Sequence, residues 1–191
     1  RDGALYVTHS AELTRVTDTD RDGKADRFET ISDAWGYENY HEYAFGSKFD
    51  AKGNLYVALG LSNSYHSRAL FRGWAMKITP DGKSIPIASG LRSPGGIGSN
   101  LAGDMFYVES QGPWNGSCSL RQLRHGAFMG HPIGNKWYQH APDMGPRPAF
   151  EDTSSDPEVF VRLRDHYGSE PSRLPPDWHQ WISELTHRDY P

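Results

Sequence analysis

Cysteine is nearly absent from the sequence, since Cys118 is the only one among 191 residues. A single thiol cannot form an intramolecular disulfide, and a two-cysteine haem attachment motif is excluded as well. Long hydrophobic runs are also lacking, because no stretch approaches the ~18 apolar residues of a membrane-spanning helix. We therefore expect no membrane span and a fold that depends on a hydrophobic core.

Neither sign of charge dominates the sequence. Lysine and arginine number 20, aspartate and glutamate 24, and the formal net charge is −4. Basic residues do not cluster among aromatic ones, so the pattern does not favour a nucleic-acid partner. The hydrophobic fraction of 36% and the aromatic fraction of 13% are typical of globular chains. The length is sufficient for one sizeable core or two small ones.

Acidic residues concentrate in one segment, "DTDRDGKADRFE", residues 18–29. A linear calcium-binding loop takes its ligands from positions 1, 3, 5, 7, 9 and 12, with glycine at position 6 for the sharp turn. An Asp-rich surface turn is the alternative, because Asp and Gly also form turns without a metal. The spacing predicts a Ca²⁺ site whose ligands are Asp18, Asp20, Asp22, Lys24 through its carbonyl, Asp26 and Glu29, with Gly23 at the turn.

The segments on either side of this loop predict strands. "ELTRVT" and "RFETI" contain β-branched and aromatic residues, which favour a β-hairpin over the two helices of an EF-hand. We expect the ion to stiffen the hairpin tip and to take no part in chemistry. Calcium loops of modest affinity also fit a periplasmic or secreted location.

A repeat extends along most of the sequence. The segments "GALYVTHS", "GNLYVALG" and "GDMFYVES" begin at Gly3, Gly53 and Gly103, at a spacing of 50 residues. Each is a turn glycine followed by a strand pattern. Further strand patterns follow each of them, namely "LTRVT" and "RFETI", then "WAMKIT" and "SIPIAS", then "SLRQLR". A period of about 40–50 residues with four strands is typical of a β-propeller blade.

The repeat thus predicts a mainly β fold, a partial β-propeller of about three four-stranded blades over residues 1–148. An antiparallel sandwich is the alternative. Closed propellers have about four to eight blades, so three blades would leave open edges. We therefore expect self-association or a place in a larger assembly.

Three stretches of the sequence are similar to the glucose/sorbosone dehydrogenase family of quinoprotein sugar dehydrogenase propellers. "YHEYAFGSKFDAKGNLYVALG" (residues 40–60) resembles the family's histidine-bearing segment. "GLRSPGGIG" (90–98) resembles its Gly-x-Arg-Asn-Pro-x-Gly segment, and "ESQGPWNGSCSLRQLRHGAFMGHP" (109–132) resembles its Gln-Gly-Pro loop and the stretch that follows. The resemblance covers about three quarters of the chain.

The resemblance implies oxidation of a sugar or polyol with Ca²⁺ and pyrroloquinoline quinone (PQQ). His41 matches the catalytic base and Arg92 a PQQ contact. Histidine suits proton abstraction near neutral pH, and arginine suits pairing with carboxylates. In the loop Gln111, Gly112 and Pro113, the carbonyls of Gly112 and Pro113 match ligands of a second calcium.

The sequence departs from the family pattern at three positions. Ser93 replaces an asparagine, and Cys118 and Ser119 replace an acidic pair. These departures favour a second hypothesis, a non-catalytic, calcium-stabilised propeller that binds carbohydrate or protein. In that case His41 would be a structural residue of an inter-blade loop.

The blade pattern stops near residue 148, and residues 149–191 are expected to form a mixed or helical C-terminal extension. Its last part, "PSRLPPDWHQWISELTHRDYP" (171–191), resembles the end of a small accessory subunit of respiratory complex I, the family that includes mimitin. That resemblance implies docking by Trp178, His179 and Trp181. The alternative is a proline-initiated terminal helix packed on the domain. An accessory subunit of a respiratory electron-transport complex is thus a third hypothesis.

Overall fold

The computed structural model describes residues 1–147 except residue 39, residues 62–66 and residues 111–117. In these ranges the chain forms three β-sheets, followed by two short 3₁₀ helices. The extension predicted for residues 149–191 lies outside the described residues. Within the described part, no helix is long and apolar enough to cross a membrane.

The first sheet is an antiparallel meander of three strands. The strands are β1 (Ala4–Thr8), β2 (Leu13–Thr17) and β3 (Arg27–Ser32), in the order β1-β2-β3. The predicted acidic loop connects β2 to β3, and the two strands pair directly. The prediction that strands flank this loop is confirmed.

The middle sheet contains a four-stranded antiparallel meander with the order expected of one propeller blade. The strands are β4 (Ala44–Phe49), β5 (Leu55–Leu59), β6 (Trp74–Ile78) and β7 (Ser84–Ser89). A short strand from the end of the described region, β11 (Ala127–Phe128), adds in parallel to β7. The middle sheet therefore has the order β11-β7-β6-β5-β4.

The third sheet is again a three-stranded antiparallel meander. Its strands are β8 (Pro94–Ser99), β9 (Met105–Glu109) and β10 (Ser119–Gln122), in the order β10-β9-β8. The two 3₁₀ helices follow β11 and span Pro132–His140 and Pro142–Met144.

The middle sheet is buried on both faces. Successive side chains of a strand point to opposite faces of its sheet, so each strand contributes to two different clusters. On one face, Leu55 and Val57 join a core cluster that includes Leu13 of the first sheet and Trp137 of the first 3₁₀ helix. On the other face, Ala58, Ala75 and Ala88 join a second cluster with Met105 and Tyr107 of the third sheet. The three sheets therefore stack in chain order, with the middle sheet between the other two.

The predicted repeat is visible in the backbone. Gly3, Gly53 and Gly103 precede β1, β5 and β9, and all three have positive φ angles of 77°, 86° and 91°. Glycine adopts this left-handed conformation readily, whereas residues with a Cβ do so at a cost. The three glycines thus occupy equivalent turns, and each starts a buried or half-buried strand.

The mainly β fold class and the open, partial-propeller arrangement are confirmed. Among the described residues the sheets contain three, five and three strands, whereas the repeat predicted four in each. The middle sheet has a fifth strand because β11 pairs with β7 and not with β10. The structure also contains two strands that the repeat did not predict, β4 and β8, each before the glycine-led strand of its sheet. Their sequences, "AFGSKF" and "PGGIGS", contain glycine and proline and give weak strand signals.

Candidate functional site

The segments that the sequence predicts to be functional lie along one edge of the stacked sheets. The register pairs Ala44 with Leu59, Trp74 with Ser89, and Pro94 with Glu109, so these strand ends share one side of their sheets. The loops before β4 and before β8, which carry His41 and Arg92, therefore both open on this side. We call it the site edge and define it by residues 36–38, 40–43, 60–61, 67–73, 90–93 and 109–110.

Gly60 and Leu61 join the loop of His41 to the loop of Arg92. The backbone N–H of Gly60 donates to the carbonyl of Tyr43 (2.8 Å), and that of Leu61 donates to the carbonyl of Arg92 (2.7 Å). A Cβ on Gly60 would lie 3.2 Å from the Tyr43 carbonyl oxygen. This close approach explains the glycine, and the structure brings the two predicted site segments together.

His41 lies in a loop rich in exposed aromatic side chains. Its ring stacks on that of Tyr40, with centroids 3.9 Å apart and an angle of 37° between the planes. The imidazole is half-buried, and Tyr37, Tyr40 and Tyr43 are exposed on the same loop. The loop therefore presents flat rings and one histidine to the surroundings.

A fully buried arginine, Arg72, holds the His41 loop in place. Its Nε donates to the carbonyl of Gly36 (2.6 Å), its Nη1 to that of Tyr43 (2.9 Å) and its Nη2 to that of Ser10. The carboxylate of Glu42 lies 3.9 Å away and is also fully buried. Burial lowers the pKa of Arg72 to about 10, against the opposing effect of Glu42, so the guanidinium stays charged at neutral pH.

Sequence reasoning missed Arg72. The signal available was a charged residue inside the apolar stretch "LFRGWAM", immediately before a strand. A charge at such a place is buried only with partners, and here the partners are backbone carbonyls from two distant segments.

Arg92 is positioned through its backbone by a buried carboxylate. The N–H groups of Arg92 and Ser93 donate to the two oxygens of Glu109 at 3.2 Å and 2.6 Å. The hydroxyl of Tyr107 donates to the same carboxylate (3.0 Å). Burial raises the pKa of Glu109, although these three hydrogen bonds oppose the shift, and burial also raises the pKa of Tyr107.

His131 is buried close to Arg92. Its backbone N–H donates to the carbonyl of Gly90 (2.9 Å), one of the site-edge residues. Burial, assisted by the positive charge of Arg92, lowers the pKa of His131 to about 3. The imidazole is therefore neutral at physiological pH, in agreement with a structural role for this histidine.

Three of the predicted calcium ligands come together in the β2–β3 loop. Asp18, Asp20 and Asp22 each place a carboxylate oxygen within 4.8 Å of the other two. Backbone groups shape the loop, since the N–H of Gly23 donates to Asp18 (2.9 Å) and that of Lys24 donates to Asp22 (2.8 Å). Carboxylate oxygens are the ligands that Ca²⁺ prefers, so this donor set fits the ion in part.

The remaining two predicted carboxylates have protein partners. Asp26 accepts hydrogen bonds from the N–H (2.9 Å) and the hydroxyl (2.5 Å) of Thr19. Glu29 pairs with Arg15 and Arg27, each at 2.5 Å. These contacts lower the pKa of both acids, with the hydroxyl of Thr19 the largest cause for Asp26 and Arg15 the largest for Glu29.

The acidic loop lies at the opposite edge of the sheets from His41. The β1–β2 turn is at the site edge, because Ser10 accepts from Arg72, and β2 then runs away from it. The loop after β2 is therefore at the far end. This placement favours a role in the stability of the hairpin over a role in chemistry.

Part of the predicted site is not described. Gln111, Gly112 and Pro113 lie outside the described residues, as do Trp178, His179 and Trp181. The segment that leads into the Gln-Gly-Pro loop is described, and there the N–H of Ser110 donates to the carbonyl of Ser93 (3.1 Å). The chain thus enters that loop directly beside the Arg92 segment.

The architecture is that of a partial β-propeller, an open stack of antiparallel sheets with a polar edge. The model of the family DUF7133, a domain of unknown function, matches residues 1–166, and the chain belongs to that family. Among solved structures, a glucose dehydrogenase is similar, with 22% sequence identity over 63% of this chain and a TM-score of 0.47. The chain spans 40% of the length of that structure. The comparison with curated proteins finds no match.

Proposed function

We propose that this chain is part of a PQQ- and calcium-dependent sugar or polyol dehydrogenase-like propeller, with its reaction at the site edge. One observation carries the proposal. The two segments that the motifs assign to catalysis, those of His41 and Arg92, are hydrogen-bonded to the adjacent residues Gly60 and Leu61. A periplasmic or secreted location belongs to the same proposal.

In this proposal His41 is the base. It would take the hydroxyl proton of the sugar as the substrate is oxidised, a task that suits an imidazole near neutral pH. Tyr40 supports the ring by stacking, and Arg72 fixes the loop on both sides of it, at Gly36 and Tyr43. The exposed tyrosines of the loop offer flat apolar faces to a sugar ring.

Arg92 would bind the cofactor, because a guanidinium pairs well with carboxylates and PQQ carries several. The backbone N–H groups of Arg92 and Ser93 are held by the carboxylate of Glu109, which fixes the point from which the guanidinium leaves the chain. When bound, the quinone would supply the electron sink for the oxidation. Gly112 and Pro113 are the proposed carbonyl ligands of its calcium.

For the second ion we propose the β2–β3 loop, with Asp18, Asp20 and Asp22 as the core of the site. The carbonyl of Lys24 and the carboxylates of Asp26 and Glu29 complete the predicted set. Glu29 would have to exchange Arg15 and Arg27 for the ion. The role of the calcium ion at this loop is to screen the carboxylates from one another and to stiffen the hairpin.

The test is a titration of PQQ into the protein with calcium present, followed by quinone absorbance. We expect saturable binding and sugar-dependent reduction, with reduction lost in His41→Ala and binding weakened in Arg92→Lys. His125→Ala is the matched control, because His125 is exposed in the turn before β11, away from the site edge. Absence of saturable PQQ binding to the folded protein would overturn the proposal.

A second candidate function is a non-catalytic, calcium-stabilised propeller that binds carbohydrate or protein. The exposed Tyr37, Tyr40 and Tyr43 favour it, because aromatic rings bind sugars without any cofactor. Retention on a polysaccharide gel that Tyr40→Ala weakens and that PQQ does not affect would support this candidate.

The third hypothesis, an accessory subunit of a respiratory electron-transport complex, depends on residues 171–191, which lie outside the described ranges. Co-purification with a large membrane complex, lost when Trp178 and Trp181 are both changed to alanine, is the test of it.

A further inference from the structure

The first and third sheets each expose an apolar face. On the first sheet, Leu5 is 69% exposed, Val7 44% and Phe28 67%. On the third sheet, Val108 is 47% exposed and Leu120 70%. Large aliphatic and aromatic side chains grouped on one side of a sheet mark a surface that another element covers.

These side chains form continuous rows across the strands. In the first sheet, Leu5 pairs with Val16, and Val16 pairs with Phe28, so the three lie side by side on one face. In the third sheet, Val108 pairs directly with Leu120. We call these the first outer face and the third outer face.

The repeat shows what normally covers the first outer face. Leu5 is the second residue after its turn glycine, as Leu55 and Met105 are after theirs. Leu55 is buried in the core cluster shared with the first sheet, and Met105 in the cluster shared with the middle sheet. Val7 is likewise equivalent to the buried Val57. At these positions each sheet packs on the sheet before it in the chain.

The same comparison holds for the third outer face. Val108 is equivalent to Ala58, and Leu120, its cross-strand neighbour, is equivalent to Ala75, the neighbour of Ala58. Both alanines are fully buried against the third sheet. At these positions each sheet packs on the sheet that follows it.

The two outer faces are therefore the two halves of one contact that the chain already makes twice. An apolar row crosses each face, and the carboxylate of Glu12 lies at the rim of the first, where it accepts from Thr14 and Thr30. An apolar centre with a polar rim is the usual pattern of a protein interface.

We propose that a second copy of this chain covers them, with the third outer face of one copy packed on the first outer face of the other. The contact is head-to-tail, and contacts of this kind form a closed ring when the rotation between copies allows it. With three described sheets in each copy, a ring closed by two copies would have six blades. Closed propellers have about four to eight blades, so this number is within their range.

The experiment is sedimentation equilibrium on the full 191-residue chain and on two single variants, Leu5→Arg and Leu120→Arg. We expect the unaltered chain to form a dimer, and each variant alone to dissociate at least about tenfold more readily, because both contacts of its dimer contain one buried charge. Circular dichroism verifies that both variants remain folded. Leu101→Arg is the matched control, since Leu101 is fully exposed in the β8–β9 turn, and should leave the dimer intact.

An equimolar mixture of the two variants provides the decisive measurement. A mixed pair has one unaltered contact, between the third outer face of the Leu5→Arg chain and the first outer face of the Leu120→Arg chain, while its other contact contains both substitutions. We therefore expect the mixture to form dimer through the unaltered contact, more than either variant forms alone and less than the unaltered chain.

Two results would overturn the proposal. The first is a monomer at all concentrations in the unaltered chain, which would mean that something other than a second copy covers these faces. The second is a dimer that only one of the two variants weakens, which would indicate a symmetric face-to-face contact. Neither result depends on PQQ binding. The dimer proposal can therefore be wrong while the proposed function is right, and the reverse.

Discussion

The guanidinium of Arg72 donates to the carbonyl of Tyr43, two residues after His41, and the N–H of Gly60 donates to the same oxygen. One carbonyl thus connects a buried charge, the His41 loop and the end of β5. The position of the proposed base depends on a residue that touches no substrate in the proposal. Arg72 is therefore a positioning residue.

We expect Arg72→Met to lower the free energy of unfolding by about 3–5 kcal/mol, because it removes the cation 3.9 Å from the buried carboxylate of Glu42 and the donors to three carbonyls. Urea denaturation measures the change. Arg68→Met is the matched control, since Arg68 is exposed and its surface pair with Glu38 should contribute little to stability. Equal effects of the two substitutions would contradict the role assigned to Arg72.

We expect Gly60→Ala to destabilise the protein by about 1–3 kcal/mol, since the new Cβ would crowd the Tyr43 carbonyl oxygen at 3.2 Å and Pro94 at 3.4 Å. Gly98→Ala is the control, because a Cβ there meets nothing within 4 Å. Thermal unfolding of both variants measures the difference. A neutral Gly60→Ala would show that the two site loops tolerate separation.

Stability should fall in acid because of His131. Its folded-state pKa of about 3 lies below the ordinary histidine pKa of 6.5, so the unfolded chain takes up the proton first as the pH falls. This contribution is complete above pH 6.5 and is lost progressively between pH 6.5 and about 3, with about 2 kcal/mol lost at pH 5.

The protonation of His131 can be followed by NMR of its imidazole C–H signals, with a His131→Gln variant for assignment. A midpoint near 6.5 in the folded protein would contradict the burial described here.

Calcium should raise the midpoint of thermal unfolding, and the double variant Asp20→Asn/Asp22→Asn should abolish the rise, because it removes two of the three clustered carboxylates. We expect Glu29→Gln to reduce the effect less, since Glu29 is paired with Arg15 and Arg27. Asp104→Asn, in the β8–β9 turn, is the control. An unaltered calcium response in the double variant would place the ion elsewhere.

The sequence was sufficient for the features that depend on local chemistry. The glycines at 3, 53 and 103 predicted the repeat, because each marks the same positive-φ turn. The β-branched residues around the acidic loop predicted its hairpin. The sequence did not predict the strands β4 and β8, because their glycines weaken the local strand signal. Pairing with β5 and β9 determines their conformation.

The long-range features could not be predicted. Nothing beside Arg72 in the sequence indicates that Ser10 and Gly36 will accept its hydrogen bonds. Glu109 is the last residue of a strand, and nothing in the neighbouring sequence indicates that its carboxylate is buried. It is buried because the Arg92 loop folds over it. Partners distant in sequence define both residues, and such partners leave no periodic signal.

The short parallel strand β11 has a consequence for how the stack comes apart. After the third sheet, the chain returns to the middle one, where Ala127 and Phe128 pair with β7 and the N–H of Met129 donates to Ser89 (2.8 Å). The third sheet is thus enclosed in sequence between two parts of its neighbour, unlike the units of a linear repeat protein, which unfold from the ends. The third sheet can separate from the middle sheet only if β11 also leaves β7. We therefore expect the amide protons of the middle and third sheets to exchange as one cooperative unit.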